Sequence, residues 1–117
     1  MGGKTYREIT GTSDWEALLQ KEEALLVYFS VTGCPVCKTL KPKVVALISN
    51  YFPKMGIAFV EMDQMPVLAA QNRIFAAPSV IVFFAGKEYI RKGRGFSVEE
   101  LKTEIKRIYL RMFPETL

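Results

Sequence analysis

The chain has 117 residues, of which 50% are hydrophobic and 12% aromatic, so it can bury the core of one globular domain. The absence of histidine excludes histidine-based acid–base catalysis and most metal sites, and two cysteines are too few for a disulfide-stapled scaffold. The formal net charge is +4, but many basic residues alternate with glutamates late in the chain, which favours a solvated helix face and edge hairpin over a surface for an acidic partner or nucleic acid.

The sequence predicts no segment that would place the protein in a membrane. Its amino-terminal residues are polar and lack the apolar core of a secretory signal. The longest apolar runs, Ala24–Phe29 and Val80–Ala85, are much shorter than the roughly 20 residues that span a bilayer. We therefore expect a cytoplasmic protein that binds neither membrane nor nucleic acid. In that compartment a Cys-x-x-Cys pair is usually redox-active or metal-binding.

Strand and helix signals start near the amino terminus. A short strand is expected at Tyr6–Ile9, and a helix is expected over about Asp14–Gln20. A capping box marks the start of this helix, in which Ser13 accepts a backbone N–H and Glu16 reaches back. The near-continuous apolar run Ala24–Val31 predicts a strand that is buried on both faces. A short loop then leads to the two cysteines, which begin the next helix.

The rest of the chain predicts a long helix, a strand, a short helix, a hairpin and a final helix. Pro66 suits the start of the short helix, and Ser97 with Glu100 forms a second capping box before the final one. The apolar stripe of the final helix is predicted to comprise Leu101, Ile105, Ile108 and Met112. The elements are expected at about Cys34–Tyr51, Ile57–Met62, Val67–Asn72, Ser79–Ala85, Glu88–Lys92 and from Ser97 to Pro114.

The resulting order of elements is βαβαβαββα, which predicts an α/β fold. Strands that alternate with helices imply parallel crossovers, and the closing hairpin adds an antiparallel pair, so the sheet should be mixed. The cysteine pair follows a central strand and begins a helix. In open α/β sheets, functional sites form at the carboxyl ends of the strands, where this pair is expected to lie.

The spacing of Cys34 and Cys37 predicts thiol–disulfide chemistry. At a helix N-terminus the free N–H groups and the helix dipole stabilise a thiolate, so the pKa of Cys34 should be depressed, with Lys38 adding positive charge nearby. Cys34 would attack a substrate disulfide, and the more buried Cys37 would then resolve the mixed disulfide. We therefore interpret Cys34 as the nucleophile and Cys37 as the resolving thiol.

Three other interpretations of the pair compete with this one. A chance pair of buried cysteines rarely has this spacing directly after a strand. A zinc half-site would need two more ligands, which only carboxylates or a second subunit could supply, because the chain holds no other cysteine and no histidine. A redox-inert descendant of a redox fold is disfavoured because both cysteines are present.

From about Tyr6 to Met112 the chain resembles the thioredoxin family. The resemblance rests on the order and spacing of motifs, which is more specific than Cys-x-x-Cys alone. These motifs are Leu25-Leu26-Val27-Tyr28-Phe29, Cys34-Pro35-Val36-Cys37-Lys38, Pro42, Met62-Asp63-Gln64-Met65-Pro66, Ala77-Pro78-Ser79-Val80, Gly86 and Gly95.

The resemblance implies the thioredoxin fold, a mixed central sheet with helices on both faces, over a single domain of residues 1–117. It also implies that Pro78 is cis and faces the cysteines, and that Ala77 pairs with substrate as an added strand. Gly33 would form part of the same substrate rim. Protein disulfides are the implied substrates and a thioredoxin-reductase-like flavoprotein the implied electron donor. We expect a monomer without metal or bound cofactor.

Several positions depart from the family's usual pattern. Pro35-Val36 replaces the Gly-Pro between the cysteines, and Gly33 replaces the preceding tryptophan. Tyr28 stands in place of the buried aspartate that moves a proton to or from the second cysteine, and Phe59 in place of its lysine partner. The pKa of a tyrosine in water is roughly 10, which makes it a poor base near neutrality, so Tyr28 is interpreted as a core residue.

The leading hypothesis is therefore an enzyme that reduces protein disulfides. A second hypothesis is a binding, accessory or redox-sensing module with slow or no turnover, which the loss of the acid–lysine pair favours. A third is glutathione-linked, glutaredoxin-like activity, which Pro35 alone suggests.

Overall fold

The computed structural model describes residues 6–116; the polar amino-terminal segment 1–5 lies outside this range. The predicted order βαβαβαββα is confirmed, with a short 3-10 turn at Pro114–Thr116 after the last helix. The elements are β1 (Tyr6–Glu8), α1 (Thr12–Lys21), β2 (Ala24–Ser30), α2 (Pro35–Tyr51), β3 (Gly56–Glu61), α3 (Pro66–Gln71), β4 (Ser79–Phe84), β5 (Lys87–Lys92) and α4 (Val98–Met112).

The five strands form one mixed sheet, as predicted. Their order is β1-β3-β2-β4-β5. β3 runs parallel to both β1 and β2, whereas β4 is antiparallel to β2 and β5 antiparallel to β4. β2 is the central strand and every one of its residues is buried, which confirms the interpretation of its apolar run. The cysteines follow directly from the carboxyl end of this strand.

Alternate residues of β2 supply two separate cores, one on each face of the sheet. Leu26 and Tyr28 belong to a cluster with residues of α2 and α4. Val27 and Phe29 belong to a second cluster with residues of α1 and α3. Successive side chains of a strand point to opposite faces, so one apolar strand can serve both cores. Helices therefore cover both faces, as predicted.

Of the two predicted capping boxes, the one at Ser13 is wrong. α1 starts at Thr12 after Gly11, whose position as N-cap carries no side-chain hydrogen bond. Asp14 instead accepts hydrogen bonds from the Thr10 hydroxyl at 3.0 Å and from the Thr10 N–H at 3.4 Å. Ser13 is therefore the second residue of the helix and not its N-cap. The second box holds at its serine, because the Ser97 hydroxyl accepts the Glu100 N–H at 3.2 Å.

The buried stripe of α4 differs from the predicted one at its end. Leu101 and Ile105 are fully buried, but Met112 is 37% exposed. Tyr109 and Phe113 are buried in its place. The centre of the Tyr109 ring lies 5.0 Å from that of Phe52 and 4.9 Å from that of Phe113. This aromatic packing buries Tyr109 and Phe113 at the end of the helix and leaves Met112 at the surface.

Candidate active site

The two cysteines lie at the amino-terminal end of α2. Cys34 is the N-cap residue, and its sulfur accepts the Cys37 N–H at 3.2 Å. A disulfide bond joins Cys34 and Cys37, whose Cα atoms are 5.3 Å apart. Gly33 has a φ of +80°, a left-handed conformation that turns the chain out of the loop after β2 and into the helix. The spacing in the sequence thus corresponds to a bonded pair at a helix N-terminus.

The two sulfurs differ in their access to solvent. Cys37 is only 3% exposed, whereas Cys34 is half-buried and its neighbours Gly33 and Pro35 are exposed. Lys38 is exposed on the next position of the helix. A partner molecule can therefore approach Cys34 but not Cys37, and the order of attack predicted from the sequence fits this difference.

A groove beside the disulfide joins the first turn of α2 to the loop before β4. The Ala77–Pro78 peptide bond is cis, as the family resemblance implies. The Ser79 hydroxyl donates to the Ala76 carbonyl at 2.6 Å and holds this loop. The groove has a volume of about 390 Å³ and is lined by Pro35, Val36, Thr39, Leu40, Lys43, Pro78, Gly95 and Phe96. Gly33 and Ala77 adjoin it in the chain but do not line it.

Tyr28 is fully buried beneath the site, and its hydroxyl donates a hydrogen bond to the Cys37 carbonyl at 2.8 Å. Burial raises the pKa of Tyr28 to about 12. The hydroxyl therefore keeps its proton near neutrality and acts as a donor to the backbone. Its interpretation as a core residue is confirmed, but the hydrogen bond was not predicted. Strand parity, which points Tyr28 towards α2, is the sequence signal that could have indicated it.

A cation lies over Phe59, the residue that pairs with Tyr28 across β2 and β3. The Lys41 ammonium is 4.2 Å from the centre of the Phe59 ring and 3.8 Å from a Glu8 carboxylate oxygen. Lys41 was not predicted as part of the site, although it lies one helical turn after Cys37. Among the described residues with assigned burial, 7–115, no aspartate, glutamate, lysine or arginine is buried.

Two carboxylates fix the loop that precedes Cys34. Asp63 accepts the Thr32 N–H at 3.1 Å, and Glu61 accepts the Thr32 hydroxyl at 3.3 Å. Hydrogen bonding to Asp63 from the Thr32 side chain, and then from the Thr32 N–H, holds the pKa of Asp63 below its usual value. The Met62 N–H also donates to the Ser30 carbonyl at 2.7 Å. The end of β3 thus anchors the loop from which the helix of the site begins.

Residues 6–116 contain neither a cluster of metal ligands nor a membrane-spanning helix. No group of three or more cysteine, aspartate or glutamate side chains is arranged to hold a metal ion. None of the helices in this range combines the length and the hydropathy needed to cross a bilayer.

Comparisons with known proteins agree on one family. A family model described as Thioredoxin matches residues 7–107. Thioredoxin-like protein YdfQ of Bacillus subtilis is 26% identical over 106 residues, which cover 88% of this chain and 94% of YdfQ. A structure of Fasciola hepatica thioredoxin is 30% identical, with a TM-score of 0.77 over 86% of this chain and 97% of that one. A mutant thioredoxin from Halobacterium salinarum has a TM-score of 0.80 at 18% identity, covering 92% and 93% of the two chains.

Proposed function

Because the chain belongs to the thioredoxin family and is a thiol–disulfide oxidoreductase, we propose that Cys34 is its nucleophile and Cys37 its resolving thiol. The observation that carries the assignment is the Cys34–Cys37 disulfide at the N-terminus of α2, with one sulfur accessible and the other buried. Only the accessible sulfur can meet a large substrate first.

The reaction follows from this geometry in two exchanges. In the reduced protein the Cys34 thiolate is stabilised by the Cys37 N–H, which already points at its sulfur, and by the dipole of α2. The thiolate attacks one sulfur of a substrate disulfide, and the other sulfur leaves with the electron pair of the broken bond. Cys37, as thiolate, then attacks Cys34 and releases the second substrate thiolate. The substrate gains two electrons, and the protein ends in the disulfide form described above.

We propose that substrate lies over Gly33, Ala77 and Pro78. The groove joins Pro78 to the first turn of α2, and the backbone at Ala77 offers hydrogen-bonding groups to an extended segment. The family acts on protein disulfides and is recharged by reductases of the thioredoxin reductase type, and we assign such a donor to this protein. The proposal includes a monomeric, cytoplasmic protein of one domain, residues 1–117, that uses no metal or bound cofactor and binds no membrane or nucleic acid.

A second candidate function is a redox-sensing or accessory module with slow turnover. It is favoured by the surroundings of Cys37, where a hydroxyl that keeps its proton contacts the backbone and no buried carboxylate is present among residues 7–115. Without a nearby base, the resolving step depends on spontaneous ionisation of the Cys37 thiol, so mixed disulfides with partners should persist longer.

The reduction of insulin disulfides by dithiothreitol tests both candidates. The wild type should accelerate the reaction and Cys34→Ser should abolish the acceleration. Reduced Cys37→Ser, mixed with insulin after dithiothreitol is removed, should accumulate a mixed disulfide that non-reducing electrophoresis detects. Catalysis that survives in Cys34→Ser would contradict the assignment of the nucleophile. If the wild type forms mixed disulfides but turns over slowly, the sensor or accessory function is the better description.

A further inference from the structure

Phe75 is a solvent-exposed aromatic residue in the loop before β4, three residues before Pro78 of the groove. Its side chain is 80% exposed, the largest value among the big apolar residues between positions 7 and 115. The neighbouring Ile74 is only 5% exposed, and the Arg73 carbonyl accepts a hydrogen bond from Arg91 at 3.3 Å. The backbone on both sides of Phe75 is therefore anchored, by Ile74 on one side and by the Ala76–Ser79 contact on the other. The ring is held outward by structure that does not depend on it.

Two further apolar side chains are exposed at the same end of the sheet. Val36, between the cysteines, is 59% exposed, and Val67, in the first turn of α3, is 67% exposed. The other exposed aromatic rings have partners within the protein. Tyr51 contacts the Lys102 ammonium at 3.7 Å, and Tyr89 packs edge-on against Phe84 at 5.7 Å. The three most exposed large apolar side chains, Phe75, Val67 and Val36, thus lie on segments at the end of the sheet where the disulfide is located, and exposed apolar residues grouped in this way mark an interaction surface.

Positively charged side chains lie beside Phe75 and along the neighbouring groove. A concavity of about 200 Å³ includes Phe75, Arg73, Arg91 and Lys92, and the groove on the other side of residues 93–95 includes Lys43. Arg91 and Lys92 are neutralised, since they pair with Glu88 at 2.8 Å and with Glu104 at 2.6 Å.

Three other cations are not neutralised in this way. Lys43, Arg73 and Arg94 form no ion pair with a described residue, and Arg94 lies on the loop between the two concavities. The pKa of Glu88 is lowered chiefly by its hydrogen bonds with Arg91 and less by the charge of Arg73, and both of its carboxylate oxygens accept hydrogen bonds from Arg91. The linings of the two concavities include no carboxylate, so Lys43, Arg73 and Arg94 give this part of the surface a positive character.

We propose that Phe75 with Lys43, Arg73 and Arg94 forms a docking surface for an acidic, extended protein segment that carries an apolar side chain beside its reactive cysteine. This inference rests on the proposed function and names the class of substrate that the site prefers. The ring would gain contact with the apolar side chain, and the cations would attract the carboxylates and speed encounter. Substrates with basic surroundings would be disfavoured by the same charges.

The test uses peptides whose single cysteine is joined by a disulfide to thionitrobenzoate, so that its release reports the reaction with the reduced protein. Three peptides differ only around the cysteine: glutamates with leucine, lysines with leucine, and glutamates with serine. At low salt the glutamate–leucine peptide should react at least about tenfold faster than the lysine–leucine peptide. This ratio should fall towards one at about 1 M salt, where the Debye length is about 3 Å.

Variants separate the ring from the charges. Phe75→Ala should slow the glutamate–leucine peptide about tenfold and leave the glutamate–serine peptide within about twofold. Arg73→Glu with Arg94→Glu should reverse the charge preference. The matched controls are Tyr51→Ala, another exposed aromatic ring, and Lys106→Glu with Arg111→Glu, the same charge change on α4; both should behave as the wild type. All variants should react normally with hydroxyethyl disulfide, which is small and neutral.

Other outcomes would overturn the proposal. Equal rates for the acidic and basic peptides, or an effect of Tyr51→Ala as large as that of Phe75→Ala, would overturn the docking surface while leaving the proposed chemistry intact. A dimer in sedimentation that Phe75→Ala converts to a monomer would assign the surface to a second copy of the chain. Failure of the wild type with hydroxyethyl disulfide and with every peptide would overturn both the function and the inference.

Discussion

Tyr28→Phe distinguishes two roles for the buried hydroxyl beside Cys37. The substitution keeps the ring and removes only the hydroxyl that donates to the Cys37 carbonyl at 2.8 Å. If the hydroxyl serves only to hold the backbone, the disulfide chemistry should continue without it. If it carries a proton to or from Cys37, activity should fall.

The expected cost to stability is about 1 kcal/mol. A buried hydrogen bond contributes roughly 0.5–1.5 kcal/mol net, and the carbonyl of a helical residue keeps the N–H four residues on as its donor. For a domain of this size 1 kcal/mol corresponds to roughly 4 °C in Tm. The expected effect on catalysis is small, because a hydroxyl with a pKa of about 12 is ionised in only about one molecule in 10⁵ at pH 7.

The assay combines urea unfolding of the oxidised protein with the pH profile of insulin reduction. Tyr109→Phe is the matched control, since the Tyr109 hydroxyl is also bound to the backbone, accepting the Lys54 N–H at 2.9 Å near the far end of α2. Both variants should lose similar stability, and both should keep the rate and the shape of the pH profile. A tenfold loss of rate in Tyr28→Phe alone, or a displaced profile, would refute the holding role and make Tyr28 part of a proton path.

Three further predictions concern residues at the starts of helices and in the loop before Cys34. Gly33→Ala should destabilise the protein by about 1 kcal/mol in urea unfolding because φ is +80°, while no heavy atom lies within 4 Å to obstruct the new methyl group. Ser97→Ala should cost about 1 kcal/mol through loss of its cap, whereas Ser13→Ala should change stability by less than about 0.5 kcal/mol; equal losses would contradict the assigned helix starts. Because hydrogen bonds from Thr32 lower the pKa of Asp63, the stability it contributes is present above its unfolded pKa and is lost as the pH falls through the folded one. The wild type should therefore lose its advantage over Asp63→Asn in acid unfolding, and a constant difference across pH 2–6 would count against the contact.

The parts of the fold that the sequence predicts are those with a regular period. They include the apolar run of β2, the stripe at the start of α4 and the spacing of Cys34 and Cys37. Each of these patterns follows the geometry of a strand or a helix. The cis peptide before Pro78 was predicted from the family resemblance alone, since no local rule favours it.

The parts that were missed depend on contacts between distant segments. The Tyr28 hydroxyl binds a carbonyl on another element, α2. The aromatic cluster that buries the end of α4 at Tyr109 includes Phe52, which follows α2. In the loop before β4 the adjacent residues Ile74 and Phe75 are both apolar, yet one is 5% and the other 80% exposed. A loop has no period, so its sequence cannot show which of two neighbours faces the core.

The central position of β2 has a consequence for local motion. The strand is paired along both edges, by β3 and β4, and covered on both faces by the two cores. Its amide hydrogens can therefore exchange with deuterium only when the whole domain unfolds, in the oxidised and in the reduced state alike. The exposed residues around Gly33 should exchange much sooner. Each redox cycle would then alter the loop after β2 and the first turn of α2, while β2 itself keeps its hydrogen bonds.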